Sequence, residues 1–221
     1  MHYRSSITDR FDDRSTILDF WPRKTFYQAV HDTTIRSHNS TPVDIAPIVR
    51  HLHQLGPNHS MPLPDLTAKL CWLLGVCGFM RPSDIERVDL DKSSLHLQDK
   101  VALTVVAPKE KRLGQRIHKD VTIRQHSDPL LCPIAALQSY LDRYAHRPCQ
   151  FPHPGLPHVH INCLVRDIRD YHRPVYAQRI SNHIKTIMSL LPNHPPRGRL
   201  RAPALGSTRA LLAGASTDAR G

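Results

Sequence analysis

The sequence predicts an α+β fold that is mainly helical and contains a small three-stranded antiparallel sheet. Apolar residues recur at helical spacing before residue 78 and after residue 132, whereas between these points they alternate with polar residues at every second position. Helices on both sides of one short run of strands are typical of a domain with local connections. The regular strand–helix alternation of a doubly wound sheet does not occur.

The chain is strongly basic. Its 30 lysines and arginines outnumber 19 acidic residues, which gives a net charge of +11 and a pI near 9.8. Such a surplus favours an anionic partner, and nucleic acid is the commonest one. The alternative is a basic surface that serves only solubility.

Residues 1–42 are polar and weakly patterned, which predicts a weakly ordered N-terminal tail before a domain over residues 43–221. The five cysteines have no regular spacing, so we expect free thiols and a reducing compartment. We find neither a signal peptide nor a segment of membrane-spanning length. These features predict an intracellular protein without a membrane partner, and we expect it in the nucleus.

The first half of the domain is predicted to be helical. A helix up to Gly56 carries a stripe of four residues at helical spacing: Ile45, Ile48, Leu52 and Leu55. The next helix has Asp65 as its N-cap and Cys77 as the last residue of its buried stripe. Gly78 and Pro82 end it, and Pro82 suits the first turn of a short helix over residues 82–88. Arg81 is therefore expected at a rigid corner between two helices.

Strands are expected next, followed by further helices. The strands cover residues 94–98, 101–107 and 117–123, with a basic loop over residues 108–116. Helices are expected over residues 132–144 and 177–191, around a proline- and histidine-rich stretch, residues 145–175, that is typical of a loop. A last short helix is predicted with Ser207 as its N-cap and Gly214 as its end.

Three basic clusters could carry chemistry. They are Arg81, the basic loop with Lys109, Lys111 and Arg112, and the RGRLR run at residues 197–201. If they converge, arginines could hold the non-bridging oxygens of a phosphate while a lysine offers a proton. The alternative is that each is a solvated surface cation. For Arg81 we favour a site, because its neighbours in the sequence are apolar.

Four segments, in order, resemble the catalytic domain of tyrosine recombinases, the phage-integrase-like DNA strand exchangers. LTAKLCWLLGVCGFMRPSDIERVDL resembles the first catalytic arginine segment, with Gly78, Arg81 and Asp84 in the family's arrangement. VALTVVAPKEKRLGQRIHKDVTI is similar to the hairpin that holds the catalytic lysine, for which Lys109 is the first choice and Lys111 the second. DPLLCPIAALQSYL and ALGSTRALLAGAS resemble later helices. The sequences of these segments most resemble integrase-like proteins of fungal mobile elements.

The resemblance implies the fold of DNA breaking–rejoining enzymes and a role in DNA recombination and integration. In such proteins two arginines and a lysine hold the scissile phosphate while a tyrosine attacks it, without a metal or other cofactor. The implied catalytic residues are Arg81, Lys109 and Arg201, with Asp84 as support. Further expected DNA contacts are Lys111, Arg112, Arg116, Arg197 and Arg199. The implied partners are double-stranded DNA and either further copies of the chain or a full-length recombinase.

The sequence departs from the family pattern in two places. The usual register puts Pro203 at the second arginine, and Arg201 fits only with two additional residues, which puts Gly198 at the family's histidine. No tyrosine follows Tyr176. We therefore expect a catalytic domain incomplete at its C-terminus that binds DNA but cleaves little on its own. The alternatives are a nucleophile supplied by a partner and a non-catalytic DNA- or protein-interaction relic of a mobile element.

The sixteen histidines raise the question of a metal site. His158 and His160 share one face of an extended segment, but no second cluster has the spacing of metal ligands. Asp84 and Glu86 are not spaced like a hydrolase pair, and Asp84 is expected to support Arg81 or to cap a helix. We therefore predict no metal.

Overall fold

The computed structural model describes residues 43–191 and 201–206, without the side chains of residues 110–112 and 116. The helices are α1 (Ala46–Gln54), α2 (Leu63–Cys77), α3 (Pro82–Ile85), α4 (Pro133–Arg143) and α5 (Ala177–Met188). The strands are β1 (Val88–His96), β2 (Lys100–Arg112), β3 (Gln115–Arg124), β4 (Gln150–His153) and β5 (Leu156–Asn162). Residues 202–206 are also helical. The mixed α+β class with its three-stranded antiparallel sheet is confirmed; the predicted tail, residues 1–42, lies outside the described residues.

Helix α2 is the centre of the core. Every residue from Leu66 to Gly75 is buried, and α4 and α5 pack against it. The predicted N-cap was wrong: α2 begins at Leu63, so Asp65 lies in its first turn. Proline residues at the helix start already have helical φ angles, which moves the start upstream. Cys77 is exposed rather than buried.

The helices α4 and α5 follow their sequence patterns closely. Helix α4 begins at Pro133, and the Sγ of Cys132 accepts a hydrogen bond from the Ala135 N–H at 3.5 Å. The predicted inward residues of α5, Ile180, Ile184 and Ile187, are all buried. None of the described helices is long and apolar enough to cross a membrane.

The main sheet has the strand order β1-β2-β3, with antiparallel neighbours. The predicted basic loop at residues 108–116 was wrong, because β2 and β3 continue until only Leu113 and Gly114 separate them. Their φ angles are +50° and +78°, and positive φ at both central residues is what a type I′ hairpin turn requires. The sequence of this extension consists mostly of charged residues, so a search for alternating apolar residues misses it.

A second, two-stranded sheet lies within the stretch that was predicted to be a loop. Strands β4 and β5 pair antiparallel between residues 150 and 162. The loop prediction failed because Pro152 and Pro157 lower the strand signal, although proline is tolerated in a short edge strand. The two sheets are joined where the Asn162 N–H donates to Asp89 Oδ1 at 3.0 Å.

The last described helix packs against α2. Residues 202–206 are already helical, upstream of the helix predicted from the sequence; the predicted N-cap Ser207 and the predicted end Gly214 lie outside the described residues. A Cβ on Gly206 would lie 2.0 Å from Val76 O. The backbones of the two helices therefore approach each other as closely as only glycine allows.

Candidate nucleic-acid interface

The corner that carries Arg81 is tightly built. Gly78 ends α2, and a Cβ there would lie 2.9 Å from Leu74 O and 3.1 Å from both Val121 Cγ1 and Ile123 Cδ1. Strand β3 therefore packs directly on the end of α2. The next residue, Phe79, has a φ of +51° and is partly exposed, a conformation that costs free energy for a non-glycine residue. Arg81 follows as the exposed N-cap of α3.

The buried carboxylate of Asp84 stabilises this corner. Its Oδ2 accepts a hydrogen bond from the Arg81 backbone N–H at 3.1 Å, so the carboxylate caps α3 as the sequence suggested. The Asp84 side chain is 2% exposed, and its Oδ1 is buried without a hydrogen-bond partner. A buried carboxylate needs compensation by a nearby positive charge.

That charge comes from Lys119, which the sequence analysis did not select. Its Nζ lies 3.8 Å from Asp84 Oδ2, and its side chain is 39% exposed. Lys119 thus places an ammonium group at the Arg81 corner. A signal was available in the sequence: Lys119 shares a strand face with Val121 and Ile123, both of which are buried, because side chains two residues apart point to the same side.

The structure also brings the second arginine segment to this end of α2. Arg201 is exposed and directly precedes the helix at residues 202–206. The position of a Cβ on Gly75 lies 3.1 Å from Ala202 Cβ and 3.7 Å from Met80 O. The backbones that carry Arg81 and Arg201 therefore meet at the same point of α2, although the two residues are far apart in the sequence.

Lys109 occupies a different part of the hairpin. It is exposed and lies in a bulge of β2, between the register positions of Val106 and Lys111. Lys119 pairs with Val105, so Lys109 lies further along the hairpin, away from the strand position of Lys119. The bulge begins at Ala107, whose φ is +44°, and Ala107 packs on the second sheet.

The predicted DNA-binding residues lie near the end of this hairpin. Lys111 pairs directly with Arg116, and Arg112 pairs with Gln115. Arg197 and Arg199 lie outside the described residues.

The buried tyrosine of α4 is unsuited to nucleophilic chemistry. Tyr140 is fully buried, and its hydroxyl accepts a hydrogen bond from the Arg166 N–H at 2.9 Å. Burial raises the pKa of the Tyr140 phenol above its ordinary value. By contrast, Tyr176 is 65% exposed and is the N-cap residue of α5.

His153 on β4 and the histidines of β5 have different environments. The ring of His153 is buried: Nδ1 accepts from the Gly155 N–H at 3.0 Å and Nε2 lies 2.9 Å from Val106 O. This pattern fits a neutral ring that donates through Nε2. His158 and His160 are exposed on β5. Residues 43–191 and 201–206 contain no group of three or more potential ligands arranged to hold a metal ion.

No protein-family model, curated protein or solved structure matches this chain. The arguments for its function therefore rest on its own residues and their geometry.

Proposed function

We propose that this chain is a DNA-binding protein of the tyrosine recombinase type, which holds a backbone phosphate of double-stranded DNA at the Arg81 corner. One arrangement supports this proposal more than any other. The exposed Arg81 is the first residue of a corner clamped by Asp84, and Lys119 lies beside that clamp. Ala202, the residue after Arg201, packs on Gly75 near the same end of α2.

The chemistry of these groups suits a phosphodiester. A guanidinium can donate two parallel hydrogen bonds to non-bridging oxygens, which fixes orientation as well as adding affinity. An ammonium group beside it neutralises part of the negative charge and can supply a proton. The net charge of +11 and the opposed Lys111–Arg116 pair of the hairpin favour the long-range attraction of DNA.

The proposed biological setting is DNA recombination and integration in the nucleus. Tyr140 is buried and hydrogen-bonded to Arg166, and the exposed Tyr171 and Tyr176 precede the second-arginine segment. Cleavage by this chain alone is therefore not expected. In a complex with further copies or with a full-length recombinase, a partner would supply the attacking tyrosine. This chain would then contribute phosphate binding.

The proposal can be tested by fluorescence anisotropy with a labelled DNA duplex of about 30 base pairs. Such a duplex is long enough to contact both the Arg81 corner and the β2–β3 hairpin. Arg81→Ala is expected to weaken binding roughly tenfold or more, because a hydrogen bond to a charged group contributes about 1.5–3 kcal/mol. Arg81→Lys should not restore binding, because an ammonium cannot form the two-pronged contact. Arg50→Ala removes the same charge from an exposed position of α1 and is the matched control.

Two outcomes would contradict the proposal. Equal losses for Arg81→Ala and Arg50→Ala would mean that only net charge matters. Undetectable duplex binding at about 100 mM salt, where basic proteins normally retain non-specific affinity, would favour the non-catalytic relic instead. A nicked suicide duplex incubated with and without a full-length recombinase tests the catalytic part: a covalent protein–DNA band is expected only in the mixture.

A further inference from the structure

Three aromatic rings lie next to one another: Tyr171 and His172 belong to the loop between β5 and α5, and His146 belongs to the segment after α4. The ring centroids of His146 and Tyr171 lie 6.0 Å apart with an interplanar angle of 35°. The centroids of Tyr171 and His172 lie 4.2 Å apart at 39°. All three residues are exposed, the central Tyr171 to 39%, so a planar group can reach part of this ring surface.

We propose that this aromatic platform, His146, Tyr171 and His172, binds single-stranded DNA by stacking with unpaired bases. Stacking of bases on aromatic rings is the usual means by which proteins hold single strands without reading their sequence. This surface shares no residue with the Arg81 corner. The inference therefore does not depend on the proposed grip on duplex phosphates.

A buried arginine forms hydrogen bonds to the backbone of the platform. Arg166 is 1% exposed. Its Nε donates to Cys163 O at 3.1 Å, and its Nη1 donates to Tyr171 O at 3.3 Å. Burying a guanidinium is costly, and here the bonds that it makes fix the backbone of the central ring residue. The carbonyl of His172 is held in turn by the Cys149 thiol at 3.3 Å.

The loop that carries Tyr171 and His172 also forms hydrogen bonds within itself. The His172 N–H donates to Asp170 Oδ1 at 3.0 Å, and the Asp167 N–H donates to Arg173 O at 2.8 Å. Such bonds restrict the loop to one conformation before a ligand arrives. A preorganised ring surface loses less entropy on binding than a mobile one.

The charges around the platform favour a nucleic acid over an apolar partner. Arg147 follows the first ring residue, and Arg169 and Arg173 lie on either side of the other two; all are exposed. Asp170 balances part of this charge, because its Oδ2 lies 3.3 Å from Arg173 Nε, which leaves the cations in excess. The buried guanidinium of Arg166 has one nitrogen, Nη2, without a hydrogen-bond partner, and no carboxylate in the described ranges forms an ion pair with it. Ring faces amid such cations match the alternation of bases and phosphates in a single strand.

Anisotropy titrations with labelled oligothymidylate of about 12 nucleotides test the inference, a length within the range of known single-strand sites. Tyr171→Ala is expected to weaken binding roughly tenfold, the loss of one stacked base, whereas Tyr171→Phe should retain most of the affinity. Tyr176→Ala removes another exposed tyrosine and should change the affinity less than about twofold. Circular dichroism of each variant checks that the fold is kept.

An abasic oligomer of the same length separates stacking from phosphate contacts. Wild type and Tyr171→Ala are expected to bind it equally, because it has no bases to stack. Equal losses for Tyr171→Ala and Tyr176→Ala on oligothymidylate, or a Tyr171→Ala loss that persists on the abasic oligomer, would overturn the inference. Duplex affinity should follow Arg81 and not Tyr171, so the inference and the proposed function can fail separately.

Discussion

Lys119 Nζ and Asp84 Oδ2 lie 3.8 Å apart, although one residue belongs to β3 and the other to α3. This ion pair joins the sheet to the corner between α2 and α3. The same Asp84 oxygen accepts the Arg81 backbone N–H. The position of Arg81 therefore depends on a carboxylate whose charge is balanced by a residue from the sheet.

A double-mutant cycle on this pair should reveal coupling. Asp84→Ala is expected to cost about 1–2 kcal/mol of unfolding free energy, because it removes the N-cap bond of α3. Lys119→Met should cost no more than about 1 kcal/mol, because its ammonium is partly screened by solvent. The loss of unfolding free energy in the double variant should be about 0.5 kcal/mol smaller than the sum of the two single losses. Urea denaturation measures all four species, and strict additivity would show that the two side chains do not interact.

Gly206→Ala tests the close packing that places Arg201. The added Cβ would lie 2.0 Å from Val76 O. Because this oxygen belongs to the helix backbone, it cannot relieve the clash by a change of rotamer. We expect a loss of about 3 kcal/mol, the upper end of the range for overpacked sites. At Gly56, φ is +75° and nothing lies within 4 Å, so Gly56→Ala reports backbone strain alone and should cost about 1 kcal/mol. Thermal unfolding compares the two, and equal losses would contradict the close helix contact.

Lys69 should make stability depend on alkaline pH. It is fully buried and donates to Asn58 Oδ1 at 2.7 Å. Burial lowers the pKa of Lys69 from 10.5 to about 8, and the nearby Asp128 opposes this only in part. Between those two pH values the unfolded chain holds a proton that the folded chain has released, so stability rises with pH. The full effect is on the order of 3 kcal/mol.

Other groups also titrate in this range, so the measurement needs a subtraction. Burial raises the pKa of the Cys71 thiol from 9.0 to about 12, which lowers stability above pH 9.0 in wild type and variant alike. The difference in unfolding free energy between wild type and Lys69→Met cancels that contribution. The unfolding free energy of wild type minus that of Lys69→Met should increase as the pH rises from 8 to 10.5. A difference that stays constant over this range would show that Lys69 keeps its ordinary pKa.

Leu113→Asn should stabilise the β2–β3 hairpin. Leu113 is 99% exposed and has a φ of +50°, so it loses no packing when replaced. Asparagine tolerates positive φ better than leucine, and Asn-Gly is a preferred type I′ pair. A gain of about 0.5 kcal/mol is expected in urea denaturation. Leu113→Val is the control and should destabilise, because a β-branched residue is least suited to positive φ.

The candidate site was partly predictable. The sequence placed Arg81 at an exposed helix corner and suggested Asp84 as its support, because glycine and proline punctuate the chain locally. It did not select Lys119, since nothing in the strand pattern says which carboxylate a lysine will meet. The hairpin lysine at position 109 was chosen by resemblance, and the bulge that separates it from Lys119 is invisible to an alternating pattern.

The sequence by itself determined the elements that have a local pattern of apolar residues. These are the apolar run of α2, the apolar stripe of α5 and the alternation in β2 and β3. Such periodicity specifies which face of an element is buried. Only the tertiary structure decided what covers that face. The contact of Ala202 with Gly75, the β4–β5 hairpin on β2 and the ion pair of Lys119 with Asp84 all join distant segments, and their register depends on shape and charge that no local pattern encodes.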